Sequence, residues 1–163
     1  MPELNGALQQ LFSELTDGVA TKGNAYILNS GDAGLVRSLE KLTADDASRA
    51  VDGGATIAAH AQHLRHGLSL MNRWASEGGN PFADAKWDEA WKVSSVNDGE
   101  WASIRIALAD EIRQWRDALG SPRELAYTEL AGVIASVAHL AYHLGAIRQI
   151  SRGARGPRDG TFS

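Results

Sequence analysis

All five histidines of this chain lie in two short stretches whose apolar residues recur at the spacing of an α-helix. His139 and His143 lie four residues apart in the run VAHLAYHLGAIRQI. The other three, His60, His63 and His66, lie in the run HAQHLRH. Residues at i and i+4 share one face of an α-helix, so two imidazole rings there can reach a common point. Imidazole is a frequent ligand of zinc, nickel, copper and iron, but it also serves as a hydrogen-bonded core residue, and the spacing leaves both interpretations open.

Four long amphipathic segments must position these histidines. The first segment follows Pro2 and ends near Gly18. The second begins near Thr56 and ends at residues 78–81. The third begins after an Asn97–Glu100 capping pair and ends at residues 120–122, and the fourth runs from residues 127–129 to about residue 151. Their predicted buried faces consist of Leu4, Leu8, Leu11, Phe12 and Leu15; Ile57, Ala61, Leu64, Leu68 and Met71; Trp101, Ile104, Leu108, Ile112, Trp115 and Leu119; and Leu130, Val133, Val137, Leu140, Leu144 and Ile147.

These segments predict an all-α fold, a four-helix bundle with a long connection between its first two helices. That connection is predicted to hold a short extra helix, which Asp32 can cap, and one further turn capped by Thr43 with Asp46. Residues 1–152 are expected to form a single domain. Residues 153–163, rich in glycine and arginine, are expected to be a flexible tail.

A helical wheel places the histidines relative to these faces. His139 and His143 lie beside the core centre of the fourth helix, on a stripe whose small residues Gly132 and Ser136 leave room for a ligand. On the second helix, His60 lies nearest the core, with His63 on its flank and His66 toward the polar side.

The connection FADAKWDEAWKVSSV after the second helix is long for a compact domain, and such loops often have a function. Its tryptophans, Trp87 and Trp91, are expected either to form the wall of a pocket or to anchor the loop on the core. Its acidic residues are expected to be solvated, and no catalytic role is assigned to Asp84, Asp88 or Glu89.

The composition also limits the classes of function and site that the chain can have. The chain has 163 residues, 44% of them hydrophobic, and a formal net charge of −4, which disfavours a nucleic-acid partner. It has no cysteine, so disulfides, thiolate zinc sites and cysteine nucleophiles are excluded. We find no signal-peptide pattern and no apolar run approaching the roughly 20 residues of a membrane span, and therefore expect a cytoplasmic protein without a membrane partner.

Several known site patterns do not fit. A zincin helix requires Glu directly after its first histidine and histidine four positions on, whereas Leu140 follows His139. Di-iron carboxylate bundles require Glu-x-x-His pairs, which the chain lacks. We find no glycine-rich phosphate loop and no pattern that marks a Ser-His-Asp triad.

Two stretches of the chain resemble the DinB/YfiT-like family of small helical proteins. They are GGATIAAHAQHLRHGLSLMNRW at Gly53–Trp74 and VAHLAYHLGAIRQI at Val137–Ile150. Weaker similarity covers GLVRSLEKLTADDASR and NPFADAKW. The resemblance implies a four-helix bundle in which a divalent metal ion, zinc, nickel or another first-row ion, is held by His63, His139 and His143. On this alignment His60 packs beside the site and His66 is exposed.

The resemblance also implies a class of chemistry. Members of the family include transferases that use bacillithiol and a mycothiol-dependent isomerase, in which the metal activates the thiol of a small molecule. We therefore expect a metal-dependent S-transferase that uses a low-molecular-weight thiol, or a hydrolase, acting on a small-molecule substrate. The alternatives are a non-catalytic, stress-associated protein that binds a small ligand in the same pocket, and a purely structural helical homodimer.

Overall fold

The computed structural model describes residues 2–157, and within that range it contains helices, turns and loops but no β-strand. The prediction of an all-α fold is confirmed for this part of the chain. The helices are α1 (Pro2–Asp17), α2 (Gly34–Glu40), α3 (Ala44–Ala47), α4 (Ile57–Glu77), α5 (Trp87–Ala90), α6 (Asp98–Gly120) and α7 (Tyr127–Ile150), followed by a 3₁₀ turn at Arg152–Ala154.

The ends of the long helices lie where local capping chemistry predicts them. The Thr56 side chain accepts a hydrogen bond from the Ala59 N–H at 3.1 Å and so caps α4. Before α6, Asn97 and Glu100 bond reciprocally, each side chain accepting the other's backbone N–H. Two short helices, α2 and α3, occupy the connection for which one short helix and one further turn were predicted.

The chain forms two compact units. The first comprises residues 2–41 and 119–157, in which α1 packs against α2 and α7. The end of α1 and the start of α2 approach backbone to backbone, since a Cβ atom on Gly18 would lie 2.0 Å from the Asp32 carbonyl oxygen. Gly18 has φ 85°, a conformation that side chains rarely adopt, so a glycine at this position allows the tight return.

A buried carboxylate organises the connector within this unit. Glu14 on α1 is 7% exposed, and its oxygens accept the backbone N–H groups of Tyr26, Ile27 and Leu28. These bonds give three backbone donors a partner in a segment without regular structure.

Residues 153–157, the start of the expected C-terminal tail, make specific contacts. Ala154 is fully buried, the Arg155 Nε donates to the Arg148 carbonyl at 3.0 Å, and the Asn29 side chain donates to the Pro157 carbonyl at 3.0 Å. Residues as far as 157 are therefore held by specific contacts with the first unit. Residues 158–163 of the expected tail, including Arg158, lie outside the described range.

The second unit comprises Leu42–Ala118 and contains α3, α4, α5 and most of α6. Thr43 and Asp46 form the predicted capping box at the start of α3. Trp101 on α6 is buried, and its indole N–H donates to the Leu42 carbonyl at 2.9 Å. Asn72 on α4 donates to the Glu111 side chain at 2.7 Å, which joins α4 to α6.

Helix α7 is apolar around most of its circumference. By length and composition alone it could cross a membrane, because an 18-residue window within it has a mean hydropathy of 1.6. The apolar run is thus longer than the sequence pattern indicated. The core helix of a soluble protein meets the same two criteria, and a third of this window is buried.

Candidate metal centre

The two histidines of α7 point their Nε2 atoms at each other. These atoms lie 2.9 Å apart, and the two rings are nearly perpendicular, at 86°. His143 is 2% exposed and His139 is half-buried. Because α7 runs unbroken from Tyr127 to Ile150, the four-residue spacing alone produces this pairing, as the sequence predicted.

Burial lowers the pKa of His139 below its ordinary value, because desolvation penalises the charged imidazolium. The neutral ring is the form that can accept a hydrogen bond or bind a metal ion through a free lone pair. A separation of 2.9 Å fits a hydrogen bond between two neutral rings. It is also close to the ~3.0–3.4 Å expected between two nitrogens bound to one metal ion at about 2.1 Å each.

The three histidines of α4 lie against the tryptophans of the following connection. Trp91 stacks on His63 with ring centroids 4.3 Å apart and contacts His60 edge-on at 5.4 Å. Trp87 contacts His66 edge-on at 5.2 Å. The tryptophans therefore pack over the histidine face of α4 and anchor the loop on that helix, whereas their role as the wall of a pocket stays a prediction.

Hydrogen bonds hold this connection in place at two further points. The Thr56 hydroxyl, besides capping α4, donates to the Val93 carbonyl at 2.9 Å. The backbone N–H of Val96 donates to the Ser48 hydroxyl at 3.0 Å. Residues from two parts of the second unit, Ser48 after α3 and Thr56 before α4, thus fix the loop that carries Trp87 and Trp91.

Three histidines are candidate ligands of a metal ion, and they belong to different units of the fold. His63 lies on α4 in the second unit, whereas His139 and His143 lie on α7 in the first. These are the residues that the family resemblance implied. His63 and His143 are buried and His139 is half-buried, so the nitrogens are largely removed from bulk water.

The remaining two histidines do not join this group. His60 is 9% exposed, and burial lowers its pKa below its ordinary value. Its ring contacts Trp91 edge-on, and its place beside a metal site stays a prediction. His66, predicted to be exposed, is half-buried instead, and its Nε2 atom is buried without a hydrogen-bond partner among the described residues. The difference arises because α5 folds back onto α4 and places Trp87 over His66.

The acidic residues of the connection carry no visible catalytic arrangement. Asp88 pairs with Lys92 at 3.1 Å and Glu89 with Lys86 at 3.6 Å, all on exposed side chains. The Lys92 ammonium lowers the pKa of Asp88, as expected of a solvated ion pair. Asp84 is exposed as well.

One polar group of the fold was missed by the sequence pattern. Asp32 was expected to cap α2, but the N-cap residue is Ala33, without a side-chain cap bond. The Asp32 carboxylate is 3% exposed, accepts the Gly34 N–H at 2.8 Å and binds Arg148 at 2.7 Å. Arg148 lies five residues after His143 on α7, in the Ile-Arg-Gln turn that follows the histidine pair. That sequence feature could have marked Arg148 as a structural residue, but it does not reveal the partner.

Comparisons with family models, with curated proteins and with solved structures found no match to the chain. The resemblance to the DinB/YfiT-like family therefore rests on the two histidine-containing motifs.

Proposed function

We propose that this chain binds one divalent first-row metal ion through His63, His139 and His143, and that its four long helices form a bundle of the DinB/YfiT-like type. The observation that supports this proposal is the pairing of His139 with His143, whose Nε2 atoms lie 2.9 Å apart on one face of α7. Ring nitrogens are borderline-soft donors that suit zinc, nickel, copper and iron.

The donor set fits a reactive site better than a structural one. Structural zinc sites usually have four protein ligands, whereas catalytic sites have three and leave a position for water or substrate. When bound, the metal ion would lower the pKa of a coordinated thiol or water molecule. In this chain His63, His139 and His143 would hold the ion, and Trp87 and Trp91 would exclude water from the face of His63 that they contact.

We further propose that the protein is a cytoplasmic enzyme, an S-transferase that uses a low-molecular-weight thiol or a hydrolase, acting on a small-molecule substrate. The absence of cysteine from the chain means that any thiol must come from a co-substrate such as bacillithiol or mycothiol. The exposed ion pairs of Asp88 and Glu89 support a mechanism in which the metal, rather than an acidic loop residue, activates the nucleophile.

The metal site is tested by elemental analysis of untagged protein. We expect about one first-row metal ion per chain, and loss of most of it in His139→Ala, in His143→Ala and in His63→Ala, because two imidazoles bind a divalent ion far more weakly than three. His66→Ala is the matched control, since it removes a histidine from the same helix face without removing one of the three proposed ligands. Metal-free wild-type protein, even after incubation with zinc or nickel, would refute the site.

The reaction is tested separately with a model electrophile, 1-chloro-2,4-dinitrobenzene, and a series of bacterial thiols. Thioether formation that requires the metal and is abolished in His139→Ala supports the transferase, and metal-dependent hydrolysis of a model ester supports the hydrolase. A metal-loaded protein without turnover in either assay would favour the non-catalytic binding protein.

A further inference from the structure

Helix α7 carries two apolar seams, and only one of them is buried. Val133, Val137, Leu140, Leu144 and Ile147 are all buried and follow one another at alternating spacings of four and three residues. This seam, together with the stripe that carries the histidines, accounts for the packing of α7 within its own chain.

The second seam lies about 120° around α7 from the first and has the same spacing. None of its residues is buried, although none is charged: Tyr127 is 85% exposed and Ile134 is 46% exposed, and the other members are small. Tyr142, 71% exposed, lies directly beside it. The seam consists of Tyr127, Ala131, Ile134, Ala138, Ala141 and Gly145.

We propose that this exposed seam is the interface with a second copy of the chain, in which the two α7 helices pair in antiparallel orientation. A spacing that alternates between four and three residues keeps one face turned toward another helix along its whole length. This pattern is what a helical partner requires, whereas a lipid surface imposes no such register.

The order of large and small residues favours the antiparallel orientation. When the seam is reversed, Tyr127 faces Gly145 of the partner, Ile134 faces Ala138, and Ala131 faces Ala141. Each facing pair forms one layer of the interface. Two of these three layers combine a large residue with a small one, which keeps the helices at an even separation. In a parallel pair, Tyr127 and Ile134 would each meet their own copies and force apart layers that contain only alanine or glycine.

The area of the seam is compatible with a dimer of modest affinity. At roughly 200 Å² per tyrosine, the exposed fractions of Tyr127 and Tyr142 amount to about 300 Å² per chain. Ile134 and the small residues bring this to about 500–600 Å², so that two copies would bury about 1,000–1,200 Å², near the lower end of specific interfaces.

Charge favours a protein partner over a membrane. Helices that lie on membranes usually carry lysine or arginine along the edges of their apolar face. Between Glu129 and Arg148, α7 has no charged residue, and the Arg148 guanidinium is bound by Asp32. The dimer also places a partner beside Tyr142, whose ring contacts His143 edge-on at 5.0 Å, so the interface would adjoin one of the proposed ligands.

Sedimentation velocity of the full-length chain tests the interface. We expect the wild type to pass from monomer toward dimer between about 1 and 100 µM, the range suited to an interface of this size. Ala138→Glu, which places a charge against Ile134 of the partner, should weaken dimerisation at least tenfold. Ile106→Glu on α6, at another exposed apolar residue, is the matched control and should leave it unchanged.

A wild type that stays monomeric throughout, or a dimer that resists Ala138→Glu, would overturn the proposal. A monomer that floats with vesicles of mixed neutral and anionic phospholipids would identify the seam as a membrane surface instead. Circular dichroism of the Ala138→Glu variant verifies that its helical content is unchanged.

Cysteine cross-linking tests the orientation, because the natural chain contains no cysteine. In the antiparallel pair, two copies of residue 131 are separated by about 15 Å along the helix axis, and so are two copies of residue 141. Ala131→Cys and Ala141→Cys should therefore form a disulfide when mixed and little when oxidised alone. Efficient cross-linking of each variant with itself would overturn the antiparallel arrangement.

Discussion

Asp32 and Arg148 lie 116 residues apart in the chain and form a buried ion pair in the first unit. The Asp32 carboxylate accepts hydrogen bonds from both the Arg148 guanidinium and the Gly34 backbone N–H. A Cβ atom on Gly156 would lie 2.0 Å from Oδ2, the other oxygen of Asp32. The C-terminal segment therefore encloses the carboxylate as well. A residue placed in this way joins α2, α7 and the segment that follows α7.

Removal of one partner from this pair should be costly. We expect Asp32→Ala to lower the free energy of unfolding by about 3 kcal/mol, because the Arg148 guanidinium loses its bound counter-charge in a largely buried position. Asp32→Ala combined with Arg148→Met should recover part of that loss. Urea unfolding measures both effects.

Asp110→Ala is the control, since it breaks the exposed pair of Asp110 with Arg113 and should cost less than about 1 kcal/mol. Equal effects of Asp32→Ala and Asp110→Ala on the free energy of unfolding would show that burial of the Asp32–Arg148 pair contributes little.

At the scale of elements, Thr56 connects the start of α4 to the connection that covers its histidines. Its hydroxyl oxygen accepts the Ala59 N–H, and the hydroxyl proton is donated to the Val93 carbonyl. One side chain thus determines where α4 begins and also holds residues 87–93 against that helix.

Thr56→Val should therefore affect the helix and the loop together. The cap and the bond to Val93 are both lost, and we expect a loss of about 1–2 kcal/mol in the free energy of unfolding. Limited proteolysis should show faster cleavage near residue 93. Thr56→Ser keeps the hydroxyl group and should behave like the wild type in both measurements; faster cleavage in Thr56→Ser as well would argue against the role of the hydroxyl.

At the scale of the whole molecule, buried histidines make stability depend on pH. Burial lowers the pKa of His60 in the folded chain below its ordinary value of 6.5. The unfolded chain therefore binds more protons at this residue as the solution is acidified, and protons shift the equilibrium toward unfolding. The stability that His60 contributes is fully present above about pH 6.5. It is lost as the pH falls through the pKa that His60 has in the folded chain.

We expect the midpoint of thermal unfolding, measured in the presence of a chelator, to fall as the pH is lowered from 7.5 to 5. His60→Gln removes the titrating group, so its midpoint should fall less steeply over the same interval. Midpoints of the wild type and of His60→Gln that run parallel across this range would contradict the assignment to His60.

Much of the helical organisation could be predicted because it depends on neighbours in the sequence. Thr56, Asn97 with Glu100, and Gly120 define helix ends through bonds or conformations within a few residues. The pairing of His139 with His143 was predictable for the same reason, since four residues span one helical turn. The choice of His63 among the three histidines of α4 came only from the family resemblance.

The sequence by itself thus determined the all-α class, the extents of the long helices and the face of α7 that carries two histidines. The tertiary structure decided which side chains lie over those faces. It placed Trp87 over His66 and bound Asp32 to Arg148, and neither contact follows from local spacing. The physical reason is that helical periodicity fixes directions within one element, whereas contacts between elements depend on how the intervening chain folds back.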